Sequence, residues 1–174
     1  SSRMSEMLED DEMHIERRVL LNRNAYEIIS HQTRNVGFKD ATVQLAQASI
    51  DNIVLSANLV PKFSGLIKIF KEQKTFYTYN LYHLSSLLAY DVIRRSEWGT
   101  QDHHEKLTFA LLLCDLVLDN QTEAVVRNEE DLRNLNLNEK EKIKVNLHAY
   151  KAAEISARSG KLPPGVEAMV KCHH

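Results

Sequence analysis

Glycine and proline are scarce in this chain, and their scarcity limits the folds that it can adopt. Its 174 residues include only five glycines and three prolines. β-Sandwiches and barrels need many tight turns, which draw on these two residue types. Apolar residues instead recur at intervals of three and four along much of the chain, as is typical of amphipathic helices. The sequence therefore predicts an all-α protein that is large enough to bury a core.

Apolar spacing and capping residues place the predicted helices along the chain. The predicted helices cover about 13–30, 43–59, 62–74, 83–98, 107–118, 138–159 and 163–174. The helix over 107–118 is the most apolar and is expected at the centre of the core. The first 12 residues are expected to be disordered or loosely helical, and 119–137 to form a long polar connection. The boundary signals are stops at Gly37, Gly99 and Gly160, capping boxes of Asp102 with Glu105 and Asn138 with Glu141, and a start at Pro163-Pro164.

Charge and cysteine content argue against several classes of protein. The chain has 24 acidic and 22 basic residues, a balance that gives no reason to expect DNA, RNA or an anionic membrane as partner. No apolar run approaches the roughly 20 residues of a membrane span. The two cysteines, Cys114 and Cys172, are too few for a disulfide-built secreted scaffold. We therefore expect a soluble, cytoplasmic protein.

One aspartate and four histidines are the candidate site residues. Asp115 lies inside the most apolar segment, 111–118, where a carboxylate is costly unless it is paired, hydrogen-bonded or bound to metal. A structural pair with a histidine or a backbone amide is one interpretation, and a metal site inside a helical bundle is the other. The four histidines that could join Asp115 are His83, His148, His173 and His174. The other four, expected to be solvated surface residues, are His14, His31, His103 and His104.

Four segments follow one another in an order that points to a known family. The aromatic stretch 76–83 ends in a histidine, and 112–118 reads Leu-Leu-Cys-Asp-Leu-Val-Leu. The stretch 137–149 begins with Leu-Asn-Glu-Lys-Glu and contains a histidine, and 162–174 runs from Leu-Pro-Pro-Gly to a His-His pair. Together they resemble the HD-GYP domains, the phosphodiesterase branch of the HD superfamily, over about residues 60–174.

The resemblance implies a fold, a metal site and a ligand. It implies an HD-domain-like helical bundle over 61–174, preceded by an N-terminal helical extension or regulatory segment over 1–60. HD-GYP domains hold iron or manganese in a site of two or more metals and hydrolyse cyclic di-GMP. Carried over residue by residue, the resemblance gives metal-ligand roles to His83, Asp115, His148, His173 and His174.

Three departures from the family pattern weaken the case for catalysis. Cys114 stands where the family has the histidine of its His-Asp pair, and Leu118 stands where it has a lysine that contacts phosphate. The Gly-Tyr-Pro loop and a later aspartate ligand of the family would lie beyond residue 174. A Cys114 thiolate could bind a soft metal, but we favour a small buried hydrophobe at this position.

The departures favour a degenerate HD-GYP-like signalling domain that acts by nucleotide or protein binding, with weak or no hydrolysis. An active metal-dependent phosphodiesterase that hydrolyses cyclic di-GMP with a variant ligand set is the first alternative. A metal-free helical interaction domain, in which the order of the motifs is coincidental, is the second.

Both ends of the chain leave alternatives open. The N-terminal helices could pack on the domain, form a coiled-coil-like contact with a protein partner or in a homodimer, or end a second regulatory domain. The pair His173-His174 is either natural sequence, as the preceding Lys171-Cys172 favours, or the stub of a purification tag. If it is a stub, the candidate ligands reduce to His83, Asp115 and His148.

Overall fold

The computed structural model describes residues 2–10, 12–59, 63–72, 76–118 and 120–173. These residues form ten helices and no strand, which confirms the all-α prediction. None of the described helices is long and apolar enough to cross a lipid bilayer. In chain order the helices are α1 (Ser2–Leu8), α2 (Ile15–Val36), α3 (Asp40–Leu59), α4 (Phe63–Glu72), α5 (Tyr77–Arg95), α6 (Gln101–Cys114), α7 (Gln121–Ala124), α8 (Glu129–Asn134), α9 (Glu139–Ser159) and α10 (Val166–Lys171).

One hydrophobic core joins the N-terminal helices to the rest of the chain. Helix α2 packs on α3, α3 packs on α5 and α6, and α6 packs on α9 and α10. Through α3, the N-terminal helices pack on the helices that follow them. The fully covered side chains of this core include Val19, Ile29, Leu45, Ile53, Tyr79, Leu112 and Val166.

A second, smaller core lies beneath the polar segment between α6 and α9. Short helices α7 and α8 occupy much of this segment, and each is capped by an asparagine side chain, from Asn120 and Asn128. The connection is therefore folded, because a few apolar side chains between its polar residues have a core to enter. The buried members of this second core are Leu118, Ala124, Val126, Leu137 and Val145.

Several predicted helix boundaries are confirmed. Gly37 follows α2 with a φ of 85°, and Gly160 follows α9 in the left-handed conformation with a φ of 62°. The Asn138 side chain accepts from the backbone N–H of Glu141, whose carboxylate accepts in return from the N–H of Asn138. This is the reciprocal capping box expected from the sequence.

Three other predicted boundaries are wrong. Helix α6 starts at Gln101 with Thr100 as its cap, because the threonine hydroxyl reaches the N–H of His103. It ends at Cys114 instead of running to Leu118, because the chain tightens into turns from Leu113 onward. Helix α10 likewise stops at Lys171 instead of running to the end of the chain, so His173 lies beyond it.

Glycine 99 follows α5 after a short turn instead of ending the helix directly. Helix α5 ends at Arg95, and the N–H of Gly99 donates to the carbonyl of Ser96. A Cβ atom at position 99 would lie 1.9 Å from the carbonyl oxygen of Ile93. The glycine is therefore required by a close backbone approach, which apolar periodicity does not reveal.

Candidate metal centre

Asp115 is the residue that follows the last turn of α6. The sequence placed this carboxylate in the middle of a core helix, whereas the structure places it at the helix end, with a side chain 14% exposed. One of its oxygens, Oδ1, lies 3.6 Å from Nε2 of His148. The partner of this largely covered carboxylate is thus a histidine from another helix.

Two histidines reach Asp115 from the C-terminal part of the chain. His148 is buried on the inner face of α9, and His173 follows α10, which the buried side chains of Val166 and Val170 anchor to the core. The two Nε2 atoms lie 3.1 Å apart. One potential ligand atom from each of Asp115, His148 and His173 lies within 4.8 Å of the other two.

Backbone carbonyls orient both imidazole rings. Nδ1 of His148 lies 2.5 Å from the carbonyl oxygen of Val145, and Nδ1 of His173 lies 2.6 Å from that of Val170. A carbonyl oxygen can only accept, so both Nδ1 atoms carry hydrogen. In the neutral rings the lone pairs therefore lie on the two Nε2 atoms. Metal-binding histidines are commonly held in this way.

The local environment favours the neutral form of His148. Burial lowers its pKa, while the Val145 carbonyl and the negative charge of Asp115 act in the opposite direction. A neutral imidazole is the form that binds a metal ion. The two lone pairs and the carboxylate consequently converge as an electron-rich cluster, which is stabilised by a cation placed among them.

His83 lies elsewhere in the fold. Its side chain is fully buried beside the rings of Phe70 and Tyr79, at centroid distances of 4.8 Å and 5.3 Å. Nδ1 lies 3.2 Å from the amide nitrogen of Asn22 and 2.8 Å from the phenol oxygen of Tyr79. The other ring nitrogen, Nε2, has no hydrogen-bond partner among the described residues. Burial lowers the pKa of His83 to about 3.

The remaining histidines divide into exposed and buried ones. His14, His31 and His103 are exposed, as expected. His104 is buried against the ring of Tyr90, so its assignment to the solvated surface is wrong. The error arises because α6 starts before it and turns its side chain inward. The predicted ligand His174 lies outside the described residues.

A cavity of about 290 Å³ opens beside the cluster. Asp115, Cys114 and His173 line it, together with Leu81. Burial raises the pKa of the Cys114 thiol to about 12, and the charge of Asp115 adds to this effect. Leu118, by contrast, is buried in the second core. No lysine lines the cavity within the described part of the chain.

Sequence reasoning missed one functional candidate, Arg127. This arginine lines the same cavity, and it also lines a second pocket together with His148. It lies in the segment that the sequence treats only as a polar connection. Its position depends on the neighbouring Val126 being buried in the second core, a long-range contact with no local signal.

Comparisons of the chain with protein families, with curated protein sequences and with solved structures found no match. The site must therefore be interpreted from its own geometry and from the motifs of the sequence.

Proposed function

We propose that this chain is a degenerate HD-GYP-like signalling domain that binds a divalent transition metal and a nucleotide, cyclic di-GMP, with weak or no hydrolysis. The observation that carries the proposal is the convergence of Asp115, His148 and His173, whose ligand atoms lie within 4.8 Å of one another. Three separate parts of the chain supply these residues, and the four motifs of the resemblance contain all three.

The donor atoms of the three side chains favour the binding of an iron, manganese or zinc ion. Two imidazole nitrogens and one carboxylate oxygen are a set that these ions accept, and such a set leaves coordination positions open for a ligand. A divalent cation held there would polarise oxygen atoms of a bound phosphodiester. The set converging within the described residues has three members, fewer than the five implied by the resemblance.

The substitutions at positions 114 and 118 support weak hydrolysis. Cys114 lines the cavity but is absent from the converging ligand set. The Leu118 side chain is uncharged and buried in the second core, so it cannot take the place of a lysine that contacts phosphate. A site with fewer metal ligands and without the lysine charge retains nucleotide binding more readily than hydrolysis. Hydrolysis depends on interactions that are made only in the transition state.

Binding and turnover of cyclic di-GMP can be measured on one sample. The purified chain is loaded with Mn²⁺, its metal content is determined, and cyclic di-GMP is added while products are followed by chromatography. We expect saturable binding of cyclic di-GMP with turnover far below the roughly 1–10³ per second of ordinary enzymes. Asp115→Ala should lose both metal and nucleotide, whereas His14→Ala, a change at an exposed histidine, should lose neither.

The outcomes separate the three hypotheses. Turnover at ordinary enzyme rates that disappears in Asp115→Ala and His148→Ala would establish the active phosphodiesterase instead. A chain that takes up no Mn²⁺ and no cyclic di-GMP would favour a metal-free interaction domain. Metal uptake without nucleotide binding would retain the metal site and reject cyclic di-GMP as its ligand.

A further inference from the structure

Arg127 lines the cavity beside the candidate metal centre. Its guanidinium donates through Nη2 to the phenol oxygen of Tyr77 and through Nη1 to the carbonyl of Val126, at 3.2 Å for the second bond. The guanidinium carbon lies 5.2 Å from the centre of the Tyr77 ring. The backbone N–H of Arg127 donates to Asp131, which fixes the loop. The side chain is thus oriented by neutral groups.

No acidic side chain of the described residues forms an ion pair with Arg127. Five arginines on the helix surfaces do have such partners: Arg23, Arg94, Arg95, Arg133 and Arg158. A guanidinium has five N–H donors, and the two side-chain bonds of Arg127 leave three available to a ligand. Arg127 is also exposed, so a ligand entering the cavity can reach it.

The charge balance of the cavity favours a ligand with two negative charges. Within the described residues, Asp115 is the one acidic side chain that lines it. A divalent cation, this carboxylate, two neutral imidazoles and the Arg127 guanidinium leave about two positive charges uncompensated. Inorganic phosphate supplies both charges in one group and cyclic di-GMP supplies them in its two phosphodiesters, and phosphate oxygens match the planar fork of a guanidinium.

We propose that Arg127 binds the phosphate group of the ligand held at the metal centre, as its specificity-determining residue. The inference rests on the proposed function, because the metal supplies the second half of the phosphate site. The Arg127 guanidinium would also provide the positive charge that the family's lysine carries at the position of Leu118, from a different place in the chain. Tyr77, which accepts a hydrogen bond from Arg127, is then a positioning residue.

Calorimetric titration with inorganic phosphate tests the proposal. The Zn²⁺-loaded chain should bind phosphate, and Arg127→Gln should raise the dissociation constant at least roughly tenfold, which corresponds to about 1.4 kcal/mol. Arg127→Lys keeps the positive charge but loses the planar guanidinium. Its dissociation constant for phosphate should therefore lie between those of the wild type and Arg127→Gln. Arg133→Gln, at an exposed arginine already paired with Glu129, is the matched control and should bind phosphate like the wild type.

Two further readouts distinguish this proposal from the metal proposal. Zn²⁺ affinity, measured separately, should stay within about threefold in Arg127→Gln, because the arginine is not a ligand. Acetate should bind the loaded chain more weakly than phosphate. Equal phosphate affinity in Arg127→Gln and wild type, no phosphate binding at all, or tighter acetate binding would overturn the role of Arg127 while the metal site stands. Absence of Zn²⁺ binding would overturn both proposals.

Discussion

At the scale of single residues, the most unusual feature is an arginine with no exposed surface. Arg18 of α2 is fully buried, and it donates to the carbonyl of Met13 at 3.0 Å and to Oδ1 of Asn52 at 2.9 Å. A third bond goes to the carbonyl of Asp10. Arg18 therefore ties the segment after α1 to both α2 and α3. Its hydrogen bonds satisfy a charge that burial would otherwise make costly.

Replacing this arginine should weaken the fold. Arg18→Met leaves two backbone carbonyls and the Asn52 oxygen without their donor, so we expect the free energy of unfolding to fall by about 2–4 kcal/mol. Urea denaturation followed by circular dichroism measures this value. The neighbouring exposed arginine gives the control, because Arg17→Met should change stability by less than about 0.5 kcal/mol. A loss below about 1 kcal/mol for Arg18→Met would contradict the structural role.

His83 gives the protein a pH dependence at the same scale. Its pKa of about 3 in the folded chain lies below its ordinary value of 6.5, so between these values the unfolded chain binds the extra proton. This contribution to stability is complete above about pH 6.5 and is lost as the pH falls towards 3. The slope from this one group reaches about 1.4 kcal/mol per pH unit.

Urea denaturation at several pH values, with a chelator present, isolates this contribution. The free energy of unfolding of His83→Gln should fall less steeply with decreasing pH than that of the wild type. His14→Gln, at an exposed position, should keep the wild-type slope. Identical slopes in His83→Gln and wild type would show that His83 is accessible to protons in the folded chain.

At the scale of elements, the sequence predicts those helix boundaries that depend on a few neighbouring residues. The capping box at Asn138 and the left-handed Gly160 were predictable because each depends on only a few neighbouring residues. The end of α6 was not predictable, because the apolar run continues past Cys114 and only tertiary packing decides that it turns there. Helices α7 and α8, of four and six residues, were not predictable because apolar periodicity reveals a helix only over a window of roughly 11 residues or more.

The start of α9 gives the prediction at this scale. Asn138→Ala removes hydrogen bonds to the N–H groups of Lys140 and Glu141, at 3.0 Å and 3.1 Å, and should cost about 1 kcal/mol of stability. Asn146→Ala, at an exposed position within the same helix, should instead be neutral or slightly stabilising, because alanine has the highest helix propensity. Thermal unfolding of the two variants compares them directly, and a reversed order of stability would refute the capping role.

At the scale of the whole molecule, packing decides which predicted ligands meet. Asp115, His148 and His173 converge because α6, α9 and α10 pack against one another. The apolar neighbours of His83 in the sequence favour a buried position, and the structure buries it among Phe70, Tyr79 and Asn22. Residue type and spacing could identify candidate ligands, whereas the side of the helix on which each lies depended on contacts distant in sequence.

The direct test of this account is a Co²⁺ titration of the metal-free chain, followed by visible absorption. We predict saturation at about one Co²⁺ per chain, with ligand-field bands of a nitrogen and oxygen site. Asp115→Asn and His148→Ala should each weaken binding by more than the roughly 10–100-fold expected from changes outside the ligand set, while His14→Ala should bind like the wild type. A wild-type chain that binds no Co²⁺, or variants that bind it equally well, would contradict the metal centre and leave the two histidines sharing a proton.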